Sequence, residues 1–152
     1  MEAGYKQVQT EPNNQSTKEF ISFPKEAVEQ SIPERFLQQV KSQGDRLAIK
    51  TDKYQLTYHQ LNQLSNRITR GILAQSNPEP EPIALLLASD APLIAAMLGV
   101  LKTGKFYVPL DPSQPESRIG YILADSQSRL IITNNQYLNL ANQLLMVYPS
   151  LI

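Results

Sequence analysis

The stretch Gly99-Val-Leu-Lys-Thr-Gly104-Lys105 sets two glycines and two lysines close enough to suggest a phosphate cradle. Such a loop works by converging backbone N–H groups on a phosphate, with a lysine opposing its charge. Two features speak against that chemistry here. Residue 106 is Phe, where a phosphate loop needs Ser or Thr to reach Mg²⁺, and the pattern runs from helix to strand instead of strand to helix. Gly104 is therefore read as a helix stop, and Lys102 and Lys105 as solvated side chains. The glycines stand at 4, 44, 71, 99, 104 and 120, and no loop contains two of them.

The remaining chemical candidates are single groups. His59 is the lone histidine and falls in the first turn of an expected helix, with no nucleophile or second ligand near it in sequence. It reads as a surface side chain in preference to a general base. Asp111 stands after a short apolar run, where α/β folds place ligands, but Asp before Pro112 also closes a turn by accepting local N–H groups. The turn reading is preferred. Asp90 reads as a helix cap, Asp125 and Glu116 as helix-surface acids, and Phe106 and Tyr107 as packing between sheet and helices. Paired catalytic carboxylates and metal-ligand spacings do not occur. Catalytic, cofactor-binding and metal positions are thus all assigned to none.

The elements that would hold these groups follow from periodicity. Ser31 with Pro33 opens a helix whose stripe is Ile32, Phe36, Leu37 and Val40, and Gly44 closes it. Leu47–Lys50 and Tyr54–Thr57 form a hairpin around Thr51-Asp52-Lys53. Thr57 and Gln60 make a capping box for a helix over 58–75. Pro78, Pro80 and Pro82 stiffen a connector. Ile83–Ala88 is an apolar run suited to a strand covered on both faces, and a helix then extends from Asp90 to about Thr103. A strand at 106–109, a helix opened by Pro115, a strand at Arg129–Thr133 and a helix at Tyr137–Leu145 complete the order. The series β-α-β-α-β from 83 to 133 is a doubly wound α/β pattern with right-handed crossovers, preceded by a small β-hairpin and helices.

Length and composition exclude several classes. A chain of 152 residues suffices for one ordinary domain. Its 14 basic and 14 acidic side chains cancel, which argues against a nucleic-acid footprint. Without cysteine there is neither a disulfide framework nor a thiolate site, which fits a reducing cytoplasm. Ile83 to Leu101 has the length of a membrane span, but its central Asp90 would cost roughly 2.5–3.5 kcal/mol there. No membrane association is expected. Residues 1–22 are polar and expected to be disordered.

With the elements placed, a resemblance can be stated. The segments Leu56-Thr57-Tyr58-His59-Gln60-Leu61, Leu101-Lys102-Thr103-Gly104-Lys105-Phe106-Tyr107-Val108-Pro109-Leu110-Asp111 and Ile122-Leu123-Ala124-Asp125-Ser126 resemble the opening of the adenylate-forming (AMP-dependent synthetase/ligase) superfamily. Within it they are most like adenylation domains of non-ribosomal peptide synthetases. The resemblance covers roughly Phe23 to Leu145. Gln60 stands where Glu is usual, and Thr103 and Phe106 stand where alanines are common.

The resemblance implies a fold and a reaction. The fold is the N-terminal portion of an adenylate-forming ligase: residues 23–145 as a partial adenylation domain, with an apolar tail at 146–152. The family activates a carboxylate with ATP and Mg²⁺, releases pyrophosphate and passes the acyl group to a thiol, often that of a carrier protein. Its Ser/Thr/Gly-rich phosphate loop, ribose-binding Asp and C-terminal Lys have no counterpart in these residues. The chain is therefore expected to be a truncated piece, inactive alone, with no cofactor of its own. A complementing module docking on the remainder of a split domain is one alternative, and an acyl-CoA-ligase-type fragment another. The tail admits two origins, the start of a further strand or out-of-frame sequence.

Overall fold

The computed structural model describes residues 25–147. The polar segment 1–22 and residues 148–152 of the tail lie outside the described residues.

After a short 3-10 turn at Lys25–Glu29, α1 spans Ile32–Gln43. Its start is fixed twice. The Ser31 hydroxyl accepts from the Glu34 N–H, and the Glu34 carboxylate accepts from the Ser31 N–H at 2.8 Å. This is a capping box, with Pro33 in the first turn where its missing N–H costs nothing. The second expected box is also present: Thr57 and Gln60 exchange bonds of 2.9 and 3.3 Å and open α2, Tyr58–Leu73.

Between these helices, β1 (Leu47–Lys50) and β2 (Gln55–Thr57) pair antiparallel, with a bulge between Leu47 and Ile49. The larger sheet is parallel and has the order β4-β3-β5. Its strands are β3 (Pro82–Leu86), β4 (Phe106–Leu110) and β5 (Leu130–Thr133). Helix α3 (Ala91–Leu101) links β3 to β4, and α4 (Glu116–Ser126) links β4 to β5. Helix α5 (Leu138–Val147) continues two residues beyond its expected end, into the stretch assigned to the tail.

Alternation along β3 divides the core into layers. Ala84 and Leu86 face Leu110, Ile119, Leu123, Ala141 and Leu144, so α4 and α5 cover that side. Ile83, Leu85 and Leu87 face Ile72, Ala96 and Val100, so α2 and α3 cover the other. A third cluster, Leu61, Ala95 and Leu98 with Phe36, Ile49 and Leu56, mounts α1 and the hairpin on the outside of α2 and α3. Each fully buried Leu or Ile contributes about 1.5–3 kcal/mol relative to exposure. Burial on both faces explains why β3 is continuously apolar and why Ile83–Leu101 mimics a membrane span. Among the described residues no helix is long and apolar enough to cross a membrane.

One packing expectation needs correction. Phe106 does not pack between sheet and helices: it is 52% exposed at the amino end of an edge strand. Its neighbour Tyr107 does pack, against the cluster on the α2/α3 side. Gly44 ends α1 as expected, with an ordinary right-handed φ of −49°. Gly104 does adopt φ +77°, as a helix stop should.

Candidate functional site

The connections leaving β3 and β4 part to opposite faces of the sheet, and a crevice opens between their carboxyl ends. Leu87, Ser89, Leu93, Pro109, Leu110 and Asp111 line about 350 Å³ there. This is where parallel α/β sheets hold ligands. Both carboxylates beside it are engaged locally. Asp90 accepts from the Ala91 N–H at 2.7 Å and caps α3. Asp111 accepts from the Ser113 N–H at 2.9 Å and from its hydroxyl at 2.8 Å, and these bonds hold its carboxyl below the usual carboxylate range. The turn reading of Asp111 and the cap reading of Asp90 match these contacts.

The glycine–lysine stretch is not a phosphate cradle. Gly99 lies against α2, where a β-carbon would come within 2.7 Å of Ile68 Cγ2 and 3.1 Å of the Ser65 carbonyl oxygen. The expectation of solvated lysines is overturned for both. Lys102 Nζ donates to Asn62 Oδ1, Ser65 Oγ and Asn66 Oδ1, each at 2.7 Å, and sits 5.3 Å from the centre of the Phe36 ring. It thereby ties α3 to α2 and α1. Partial burial lowers its pKa to about 8. Lys105 is only 3% exposed, and its ammonium meets the backbone carbonyls of Asn77 at 2.5 Å and Glu79 at 2.7 Å. A third contact, to Glu81 Oε1 at 3.1 Å, is an ion pair.

His59 is exposed, as expected, with Nδ1 3.3 Å from an Asp45 carboxylate oxygen on the surface. Asp125 and Glu116 are exposed on α4. Among the described residues no group of three or more His, Asp or Glu side chains is placed to hold a metal. A cavity of about 610 Å³ opens at the opposite end of the sheet, between the amino ends of β3 and β4 and the end of α4. Glu79, Glu81, Phe106 and Arg129 are among its walls. Sequence reasoning did not anticipate it, because it forms between residues 77–82 and 124–129, which only the sheet brings together.

The layered sheet, the hairpin outside it and the Gly104 stop define a recognisable class. The AMP-binding enzyme family matches residues 36–148, which is most of the chain, and the chain belongs to that family. Among curated relatives, a dimodular nonribosomal peptide synthase from Bacillus subtilis is 37% identical over 106 residues, covering 70% of this chain and 4% of the relative. Gramicidin S synthase 2 from Brevibacillus brevis is 35% identical over 119 residues, covering 78% of this chain and 3% of the relative. Among solved structures, an anthranilate CoA ligase in complex with anthranoyl-AMP superposes with a TM-score of 0.69 at 18% identity, covering 78% of this chain and 22% of that one. The fold is that of the N-terminal portion of adenylate-forming ligases. The chain spans 22% of that ligase and only 1–4% of the curated synthases it matches.

Proposed function

We propose that these 152 residues are the N-terminal scaffold of an amino-acid- or carboxylate-activating adenylation domain and do not form an acyl-adenylate by themselves. The observation that carries this reading is the commitment of the charged groups that the glycine–lysine stretch and the β4 turn could have offered a nucleotide. The ammonium of Lys105 is held by the connector before β3, that of Lys102 by α2, and the carboxylate of Asp111 by Ser113. These residues therefore do not fit the triphosphate of ATP or its Mg²⁺, and no step of nucleotide chemistry is assigned to them. In the complete domain ATP and Mg²⁺ would be gripped by parts outside this stretch, and the activated acyl group would pass to a carrier protein.

The test is ATP–pyrophosphate exchange by the purified chain across a panel of amino acids and aryl acids. Exchange at the level of the no-enzyme control is expected, and robust exchange overturns the reading.

A second reading, a module that docks on the remainder of a split domain, is favoured by one feature. The outer edge of β5 pairs with no strand among the described residues, and such an edge is a template for further pairing. Co-expression with a polypeptide carrying the rest of an adenylation domain should then give a stable complex that restores exchange.

A further inference from the structure

We propose that the connector Asn77–Glu81 is an ammonium-binding site whose resident cation is the side chain of Lys105, and that this site fixes where β4 begins beside β3. The inference is independent of the adenylation reading, since it concerns the end of the sheet opposite the ligand crevice.

The sequence Asn77-Pro-Glu-Pro-Glu81-Pro82 builds the site. Each of Asn77, Glu79 and Glu81 precedes a proline, which disfavours helical backbone and holds the residue extended. The connector bends at Pro78 and Glu79, and the carbonyls of Asn77 and Glu79 both face the Lys105 ammonium. Two carbonyls and one carboxylate consequently converge on one point, and Lys105 Nζ fills it with contacts of 2.5, 2.7 and 3.1 Å. Two carbonyls accept hydrogen bonds from the ammonium, and the Glu81 carboxylate balances its charge. Its side chain is 1% exposed, and Glu81 Oε1 is buried with no hydrogen-bond partner besides this ionic contact.

The placement gives the site a purpose. Glu81 and Lys105 immediately precede Pro82 and Phe106, the first register pair of the parallel ladder. Because β3 is apolar on both faces, sliding β4 by two residues would keep every side chain on its face, so the apolar pattern alone discriminates poorly against that slip. A buried charge with one set of acceptors does discriminate, in the way single buried polar groups set register elsewhere.

Chemical rescue tests this. Lys105→Ala should lower Tm by roughly 5 °C or more, a size typical of losing a partner for buried acceptors in a domain of this length. Ethylammonium chloride should restore part of that loss saturably, beyond equal concentrations of NaCl or ethanol, and Glu81→Gln in the same background should abolish the restoration. An unchanged Tm, or a response to the amine no greater than to NaCl, overturns the proposal. Should Lys105→Ala fail to fold, the unaltered chain supplies the second measurement. Its Lys105 ammonium protons should exchange with water at least tenfold more slowly than those of surface lysines by ¹⁵N NMR, and Glu81→Gln should speed them. Exchange as fast as at the surface overturns the proposal.

Discussion

The imidazole of His59 lies directly over Gly44, where a β-carbon would overlap the ring. The two backbones are joined as well, with the His59 N–H donating to the Gly44 carbonyl at 2.9 Å. Gly44 is thus kept small by a neighbour fifteen positions away and not by its own φ of −49°. That distinction has a measurable consequence. In a His59→Ala background, Gly44→Ala should stabilise by about 0.4–1 kcal/mol, because the backbone suits alanine and the unfolded chain loses freedom. In the unaltered chain the ring must swing away from Asp45 and the gain should vanish. A double-mutant cycle by urea denaturation reads the difference, and a coupling near zero would contradict the contact.

Gly99 should be far less forgiving. A β-carbon there meets Ile68 Cβ at 2.9 Å and the Ser65 carbonyl at 3.1 Å, and that backbone cannot swing aside. Overpacking of this kind costs about 1–3 kcal/mol. Gly99→Ala should lower the urea midpoint accordingly, and Ile68→Ala in the same protein should recover little, since Cβ and the carbonyl remain.

Gly104 and Gly71 should respond with opposite signs, although both have open space where a β-carbon would go. At Gly104, φ +77° puts any L side chain in the left-handed region, and Gly104→Ala should cost about 1–2 kcal/mol. Gly71 lies on the exposed side of α2, and Gly71→Ala should stabilise by about 0.5–1 kcal/mol through helix propensity. Thermal melts of the two variants decide between space and backbone conformation as the controlling factor.

Acid should unpick the first capping box. Bonds from the Ser31 backbone and hydroxyl hold the Glu34 carboxyl below its ordinary 4.5, so the unfolded chain binds the proton more readily than the folded one. The contribution of Glu34 is therefore fully present above about pH 4.5 and is lost as pH falls through the lower, folded value. Glu34→Gln should flatten the stability profile below pH 4.5 relative to the unaltered chain. Identical slopes for the two proteins would show that the box contributes nothing there.

Local signals were the legible part of this fold. Ser31 with Glu34, Thr57 with Gln60, the cap at Asp90 and the stop at Gly104 act within a few residues, and element order and type follow from them. The resemblance carried by residues 101–111 located the family. The turn after β4 was legible too, because Asp111 precedes a proline, and it does accept from Ser113 two residues on. Long-range partners were not. Nothing near Lys105 in sequence announces that carbonyls 26 and 28 residues earlier will enclose it, although the proline alternation at 78, 80 and 82 was visible. Gly44 does close α1, but the contact that keeps it small, the ring of His59, is likewise long-range and had no signal near it in sequence. Phe106 was assigned to the interior because an aromatic in a strand usually packs, whereas here it ends an edge strand above the large cleft.

Pro109 gives the parallel sheet a direction of growth. It sits in β4, opposite Leu85, on the side of the sheet away from β5. Proline has no N–H to offer a newcomer, so a strand laid against β4 would find a gap in the ladder. The margin formed by Leu130, Ile131, Ile132 and Thr133 has no such interruption. The β5 margin therefore offers a continuous run of backbone donors for extending this sheet, which β4 lacks at one position.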